Sequence, residues 1–108
     1  MDFKVGLTDE AIADLKSIVE YVARDSAEAA GYVGNELIGL SESLSVLPRR
    51  GATVKERVNM RKIFRWHCAV FYRVKETEQQ VEVLRIWDMR RDPQESSESS
   101  TRMTNSKA

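Results

Sequence analysis

Residues 60–93 read MRKIFRWHCAVFYRVKETEQQVEVLRIWDMRRDP, and this stretch decides the fold. It is rich in β-branched and aromatic residues, which fit a pleated, half-buried surface. Strands are expected at about 60–66, 68–75 and 81–87, with the polar run 76–80 as the hairpin turn between the last two. Val81, Val83, Leu84, Ile86 and Trp87 put apolar side chains on both faces of the last strand, so it reads as a central one. The stretch ends on Arg90 and Arg91, which the last strand delivers to its tip just before Pro93.

Upstream, the apolar period changes from strand-like to helical. Thr8 followed by Asp9 and Glu10 supplies a capping hydroxyl and early negative charge. Ile12, Leu15, Ile18, Val19 and Val22 then recur at helical spacing, to about Arg24. Asp25 and Ser26 interrupt the pattern, and Ser26 caps a second helix whose stripe is Val33, Leu37, Leu40, Leu44 and Leu47. Gly31, Gly34 and Gly39 weaken that helix by about 1 kcal/mol each relative to Ala, unless they permit close approach to the first helix. Pro48 closes it. So short a connection implies an antiparallel helical hairpin. Residues 3–7 form a short β-like run ahead of the helices, and 49–58 read as a polar loop. The expected architecture is α+β, in the order β-α-α-β-β-β, with the hairpin packed on one face of a small antiparallel sheet. This domain takes in residues 1–93. Residues 94–108, Ser-rich and nearly devoid of large apolar groups, are expected to be a disordered tail.

The chain has 108 residues and a net charge of zero that conceals an asymmetry. Residues 1–44 carry three Lys/Arg against nine Asp/Glu, whereas residues 45–91 carry twelve against five. An acidic helical half and a basic strand half imply a dipolar molecule with a cationic face. The single cysteine, Cys68, rules out a disulfide framework within the chain and suits a reducing cytoplasm. Neither a signal peptide nor a transmembrane helix is expected.

Metal-ligand clusters, a phosphate-binding glycine loop and a nucleophile elbow are all missing from the sequence, and no cofactor is implied. His67 and Cys68 are chain neighbours that point to opposite faces of a strand, so they form no dyad. What remains is cationic. Arg61, Arg65, His67 and Arg73 share one strand parity if no bulge intervenes, and Arg90 and Arg91 follow. A guanidinium forks onto phosphate or carboxylate, so these groups either brace RNA or dock an acidic protein. Metal-free RNA cleavage also needs groups that move protons. His67 and Tyr72 are the candidates for that, although Tyr72 reads mainly as core with its hydroxyl at the edge. Trp66 and Trp87 either stack on bases or fill the core.

The helix text AIADLKSIVEYVARDSAEAA, the segment LSVLPRRG, Arg61 opening a strand before AVFYRV, and the ending VEVLRIWDMRRDP together resemble the RelE/ParE family of bacterial toxins. The resemblance covers about residues 3–93. It implies the β-α-α-β-β-β fold and a cognate antitoxin, with DNA reached only indirectly through that antitoxin. The RelE-like branch cleaves mRNA on the ribosome, and Arg61 then matches its strand arginine and Arg90 or Arg91 its late arginine. The late histidine or tyrosine of that branch is missing, since Asp88 stands in its place. The lysine-rich loop is thin too, with only Lys55 and Lys62. The ParE-like branch inhibits DNA gyrase by binding, and the long helical hairpin and WDMRRDP ending look more like it. The resemblance thus implies a gyrase-directed toxin whose target-binding residues are Arg61, Arg65, Arg90 and Arg91. The alternatives are a ribosome-dependent endoribonuclease using Arg61, His67, Tyr72 and Arg91, or a non-toxic binding module of the same fold.

Overall fold

The computed structural model describes residues 2–65 and 67–90. The chain forms β1 (Lys4–Leu7), α1 (Asp9–Ala23), α2 (Ala27–Ser43), β2 (Ala52–Thr53), β3 (Met60–Arg65), β4 (Cys68–Lys75) and β5 (Gln80–Asp88). The α+β class and the helical hairpin are as the sequence implies. The tail 94–108 lies outside the described residues.

Both helices start where their caps predict. The Thr8 side chain accepts from the Ala11 amide and the Ser26 side chain from the Ala29 amide, satisfying donors that the first turn leaves unpaired. Val33, Leu37, Leu40 and Leu44 are buried, while Leu47 lies beyond the helix end and is exposed. On α1, Ile18 is buried but Ile12 is exposed, so the apolar stripe of that helix is narrower than its sequence suggests. Of the three helical glycines only Gly34 marks a close approach. A Cβ there would stand 3.3 Å from Val19 Cγ2, whereas Gly31 and Gly39 face open space.

The sheet departs from expectation in two ways. It is mixed, because β1 runs parallel to β5, pairing Lys4 with Gln80 through Leu7 with Val83. The helical hairpin carries the chain from β1 to β2 at the opposite edge of the sheet, and β3 and β4 lead back to β5 beside β1. It also gains a fifth strand, the two-residue β2 within the segment read as a loop, giving the order β1-β5-β4-β3-β2. Arg61 and Lys62 of β3 pair with Thr53 and Ala52, and positive φ at Glu56 (67°) and Asn59 (60°) turns the chain between the two strands.

β5 is central, as read, and contains an irregularity. Phe71 pairs with Arg85 and Tyr72 with Val83, so Leu84 is an extra residue. The bulge shifts parity, which is why Val83 and Ile86 are both buried. It also directs the Leu84 carbonyl to Thr8, whose hydroxyl donates to it at 3.0 Å. Beyond the bulge, β1 has ended and α1 lies against the edge of β5. Asp14 takes over the pairing there, accepting from the Ile86 amide at 2.9 Å. The core sits between the helices and one sheet face, built from Ile18, Leu37 and Leu44 against Val70, Tyr72, Val81, Val83 and Ile86.

Candidate functional site

Arg61 and Tyr72 are directly opposite across β3 and β4. Tyr72 is fully buried, so Arg61 projects from the same, helix-facing side of the sheet. Its guanidinium donates to the Gly51 carbonyl at 2.7 Å and the Arg49 carbonyl at 3.2 Å. The Tyr72 hydroxyl accepts from the Gly51 amide at 2.9 Å. A Cβ on Gly51 would meet the Lys62 carbonyl oxygen at 2.6 Å and the Tyr72 hydroxyl at 2.7 Å, so only glycine fits. Arg61 and Tyr72 therefore clamp the chain leading into β2. Burial raises the Tyr72 pKa, and the Gly51 hydrogen bond and the charges of Arg61 and Arg50 oppose that shift only in part.

His67 lies elsewhere. It is exposed in the β3–β4 turn, five residues from Tyr72, or ~16 Å along an extended strand. The proton-transfer set expected of a nuclease is thus not brought together among the described residues. Arg91, its fourth member, lies outside them.

Arg65 stands opposite Cys68 and pairs with Glu36 of α2 at 2.8 Å. Arg90 follows β5, its amide donating to Asp88 Oδ1 at 3.0 Å with Nε 3.5 Å from the same oxygen. The Asp88 side chain is 1 % exposed, so Arg90 also supplies the countercharge for a buried carboxylate. The Met89 amide donates to the His67 carbonyl at 2.8 Å. One end of the sheet therefore gathers Arg65, His67 and Arg90, while Arg61 belongs to the other. A groove of about 390 Å³ separates Arg90 from the α1–α2 turn at Tyr21, Asp25 and Ser26. Cys68 pairs with Asp88 across the sheet. Burial, reinforced by that carboxylate and partly offset by Arg90, pushes its thiol up to about 11, which makes it an inert core group. Among the described residues no cluster of His, Cys, Asp or Glu could hold a metal ion, and no helix is long and apolar enough to cross a membrane.

The shared parity of Arg61 and Arg73 is not observed: Arg73 faces Met60 and points to the opposite side of the sheet. That opposite face holds Lys62, Phe64, Phe71, Arg73, Arg85 and Trp87, of which Phe64 and Phe71 are not candidates from the sequence. The signal was present. Once Tyr72 is taken as core, alternation assigns Phe71 and Arg73 to the outer face, and the register carries Lys62 and Phe64 with them. On this face Arg73 and Lys75 lie 3.9 and 3.6 Å from Glu82. Arg85 curls round the sheet edge onto Asp14, with contacts of 2.7 and 3.0 Å. That hydrogen bonding raises its guanidinium pKa further, against the effect of partial burial.

A two-helix hairpin on a mixed five-stranded sheet matches the fold of the RelE/ParE toxins. Residues 5–93 match the family described as "ParE toxin of type II toxin-antitoxin system, parDE". The chain belongs to this family and is the toxin component of a type II toxin–antitoxin system. Among solved structures it is similar to a chain of the chromosomal ParDE system from P. aeruginosa, with 26% identity, 78% of this chain and 92% of that one covered, and a TM-score of 0.64. The fold is shared with a chain of the RelBE2 toxin–antitoxin complex of Mycobacterium tuberculosis, at 18% identity, 80% and 96% coverage and a TM-score of 0.64. It is shared also with the isolated E. coli RelE toxin, at 13% identity, 94% and 99% coverage and a TM-score of 0.53. No curated protein sequence matches.

Proposed function

We propose that this toxin acts by gripping a protein, DNA gyrase, in the cytoplasm and not by cutting RNA. A cognate antitoxin neutralises it, and the toxin reaches DNA only through that antitoxin. The observation that carries the reading is the engagement of Arg61 and Tyr72 with Gly51. A tyrosine that is buried and holds a backbone amide cannot approach a ribose hydroxyl, and His67 sits ~16 Å along the strand from it. The ParE family match and the partner-bound ParDE and RelBE relatives support the antitoxin. Arg65 and Arg90, at one end of the sheet, are candidate contacts with the target, and Arg91 continues the same end in sequence.

A supercoiling assay with purified toxin tests the proposal. Inhibition of gyrase is the expected result. Undisturbed supercoiling at saturating toxin, together with new breaks in translated mRNA, would replace it with the endoribonuclease reading. Growth unaffected by expression without antitoxin would point to a non-toxic binding module.

A further inference from the structure

The sheet face turned away from the helices carries an aromatic cluster built from three neighbouring strands. Phe64 of β3, Ala69 of β4 and Trp87 of β5 form one cross-strand row. Ala69 is only 1 % exposed although it lies on the side opposite the core, because larger side chains on that face roof it. Phe71 meets Trp87 edge-on, with ring centroids 5.0 Å apart. Phe64 is 57 % exposed, and the Lys62 ammonium stands 5.9 Å from the centre of its ring. The Arg85 guanidinium stands 6.0 Å from the centre of the Trp87 ring. An exposed Phe64 backed by the half-buried Phe71 and Trp87, beside a cation, is the composition of a binding hot spot rather than of a solvated face.

We infer that this face docks the toxin's protein target, and that the complementary surface is acidic and presents an apolar side chain to Phe64 and Trp87 beside Lys62. The inference rests on the binding mode proposed above, and adds an aromatic contact that the arginines alone do not supply. Charge selects the class of partner. A nucleic-acid strand stacked on the rings would need cations along its phosphates. Arg73 and Lys75 share the single Glu82 carboxylate, and Arg85 holds Asp14, which leaves too few open cations to track a phosphate backbone. Lys62 alone among these has no ion pair within the described residues. One ammonium beside a ring cluster suits a single carboxylate next to an apolar knob, and a protein surface supplies that pairing.

The test uses the full-length toxin and gyrase. Phe64→Ala and Lys62→Glu should each require at least ~tenfold more toxin to block supercoiling, with melting temperatures close to that of the wild type. Tyr32→Ala, exposed on α2 across the molecule, should inhibit as the wild type does. Equal potency of Phe64→Ala, Lys62→Glu and wild type overturns the inference while leaving the gyrase reading intact. A short labelled single-stranded RNA that binds wild type and not Phe64→Ala, with inhibition unchanged, assigns the face to nucleic acid and overturns it too. A wild-type toxin that leaves supercoiling untouched removes the gyrase reading itself, and the inference falls with it.

Discussion

The Tyr72 hydroxyl accepts a hydrogen bond from the Gly51 amide at 2.9 Å, inside a fold where Tyr72 is wholly buried. Tyr72→Phe leaves that amide buried without a partner, which costs about 1–3 kcal/mol. The melting temperature should fall by several degrees, and toxicity should persist at temperatures where the variant remains folded. Loss of toxicity with an unchanged melting temperature would instead make the hydroxyl a participant in chemistry.

Gly51→Ala should be the more damaging change. Its Cβ would meet a backbone carbonyl oxygen at 2.6 Å, and neither β3 nor the Tyr72 ring has room to retreat. Chemical denaturation should give a larger loss than Tyr72→Phe. Combining the two changes should cost less than their separate effects added, because both disrupt one contact.

Much of this was legible in the sequence, and what was not shares a cause. Thr8, Ser26 and the Val33–Leu44 stripe fixed the hairpin, because capping and helical periodicity are local signals. The parallel pairing of β1 with β5 joins residues 76 apart in the chain, and no local pattern encodes it. The facing of the arginines depends on register. Arg61 and Arg73 diverge because the turn at His67 pairs residue 61 with 72, not 73. The bulge at Leu84 likewise breaks the alternation by which VEVLRIW would be read. Tyr72 was recognisable as core, but its role as the anchor for Gly51 needed the fold.

Cys68 makes stability fall at alkaline pH. Its thiol titrates near 9.0 in the unfolded chain and is pushed to about 11 in the folded protein. Between those values the folded state holds a proton that the unfolded state has released. The contribution is therefore complete below pH 9.0 and is lost as pH rises towards about 11. It is on the order of 2 kcal/mol. Tyr72, also raised, acts in the same direction above 10.0. Stability measured against pH should fall less steeply over this window in Cys68→Ala than in wild type. Thiol reagents should leave the folded wild type unmodified at neutral pH.

Asp14 substitutes for a strand. Its carboxylate takes the Ile86 amide and two nitrogens of Arg85 where β1 has ended. Asp14→Ala strands a backbone donor on the edge of β5 and releases a guanidinium, so a loss of about 2–4 kcal/mol is expected. Asp14→Asn retains an acceptor for Ile86 and should lose less. Hydrogen exchange at the Ile86 amide checks the cause. It should accelerate in Asp14→Ala more than exchange at Val70 in the adjoining strand, whereas uniform acceleration would mean that α1 as a whole has come loose.

His67 and Arg61 separate gripping from cutting. His67 is exposed in the β3–β4 turn, and His67→Ala should change toxicity by no more than about twofold, in keeping with the small effects of surface substitutions. Arg61→Ala removes two hydrogen bonds to the backbone at Gly51 and Arg49 and should lower the melting temperature. Arg61→Lys retains the charge but cannot reproduce the forked geometry of the guanidinium, so it should recover only part of that loss. If Arg61 instead braced a phosphate in a cleavage site, Arg61→Ala would abolish toxicity at full stability and His67→Ala would do the same. Growth inhibition and thermal denaturation measured on the same two variants distinguish these outcomes, because in the binding mode toxicity follows the folded fraction and in the cleavage mode it does not.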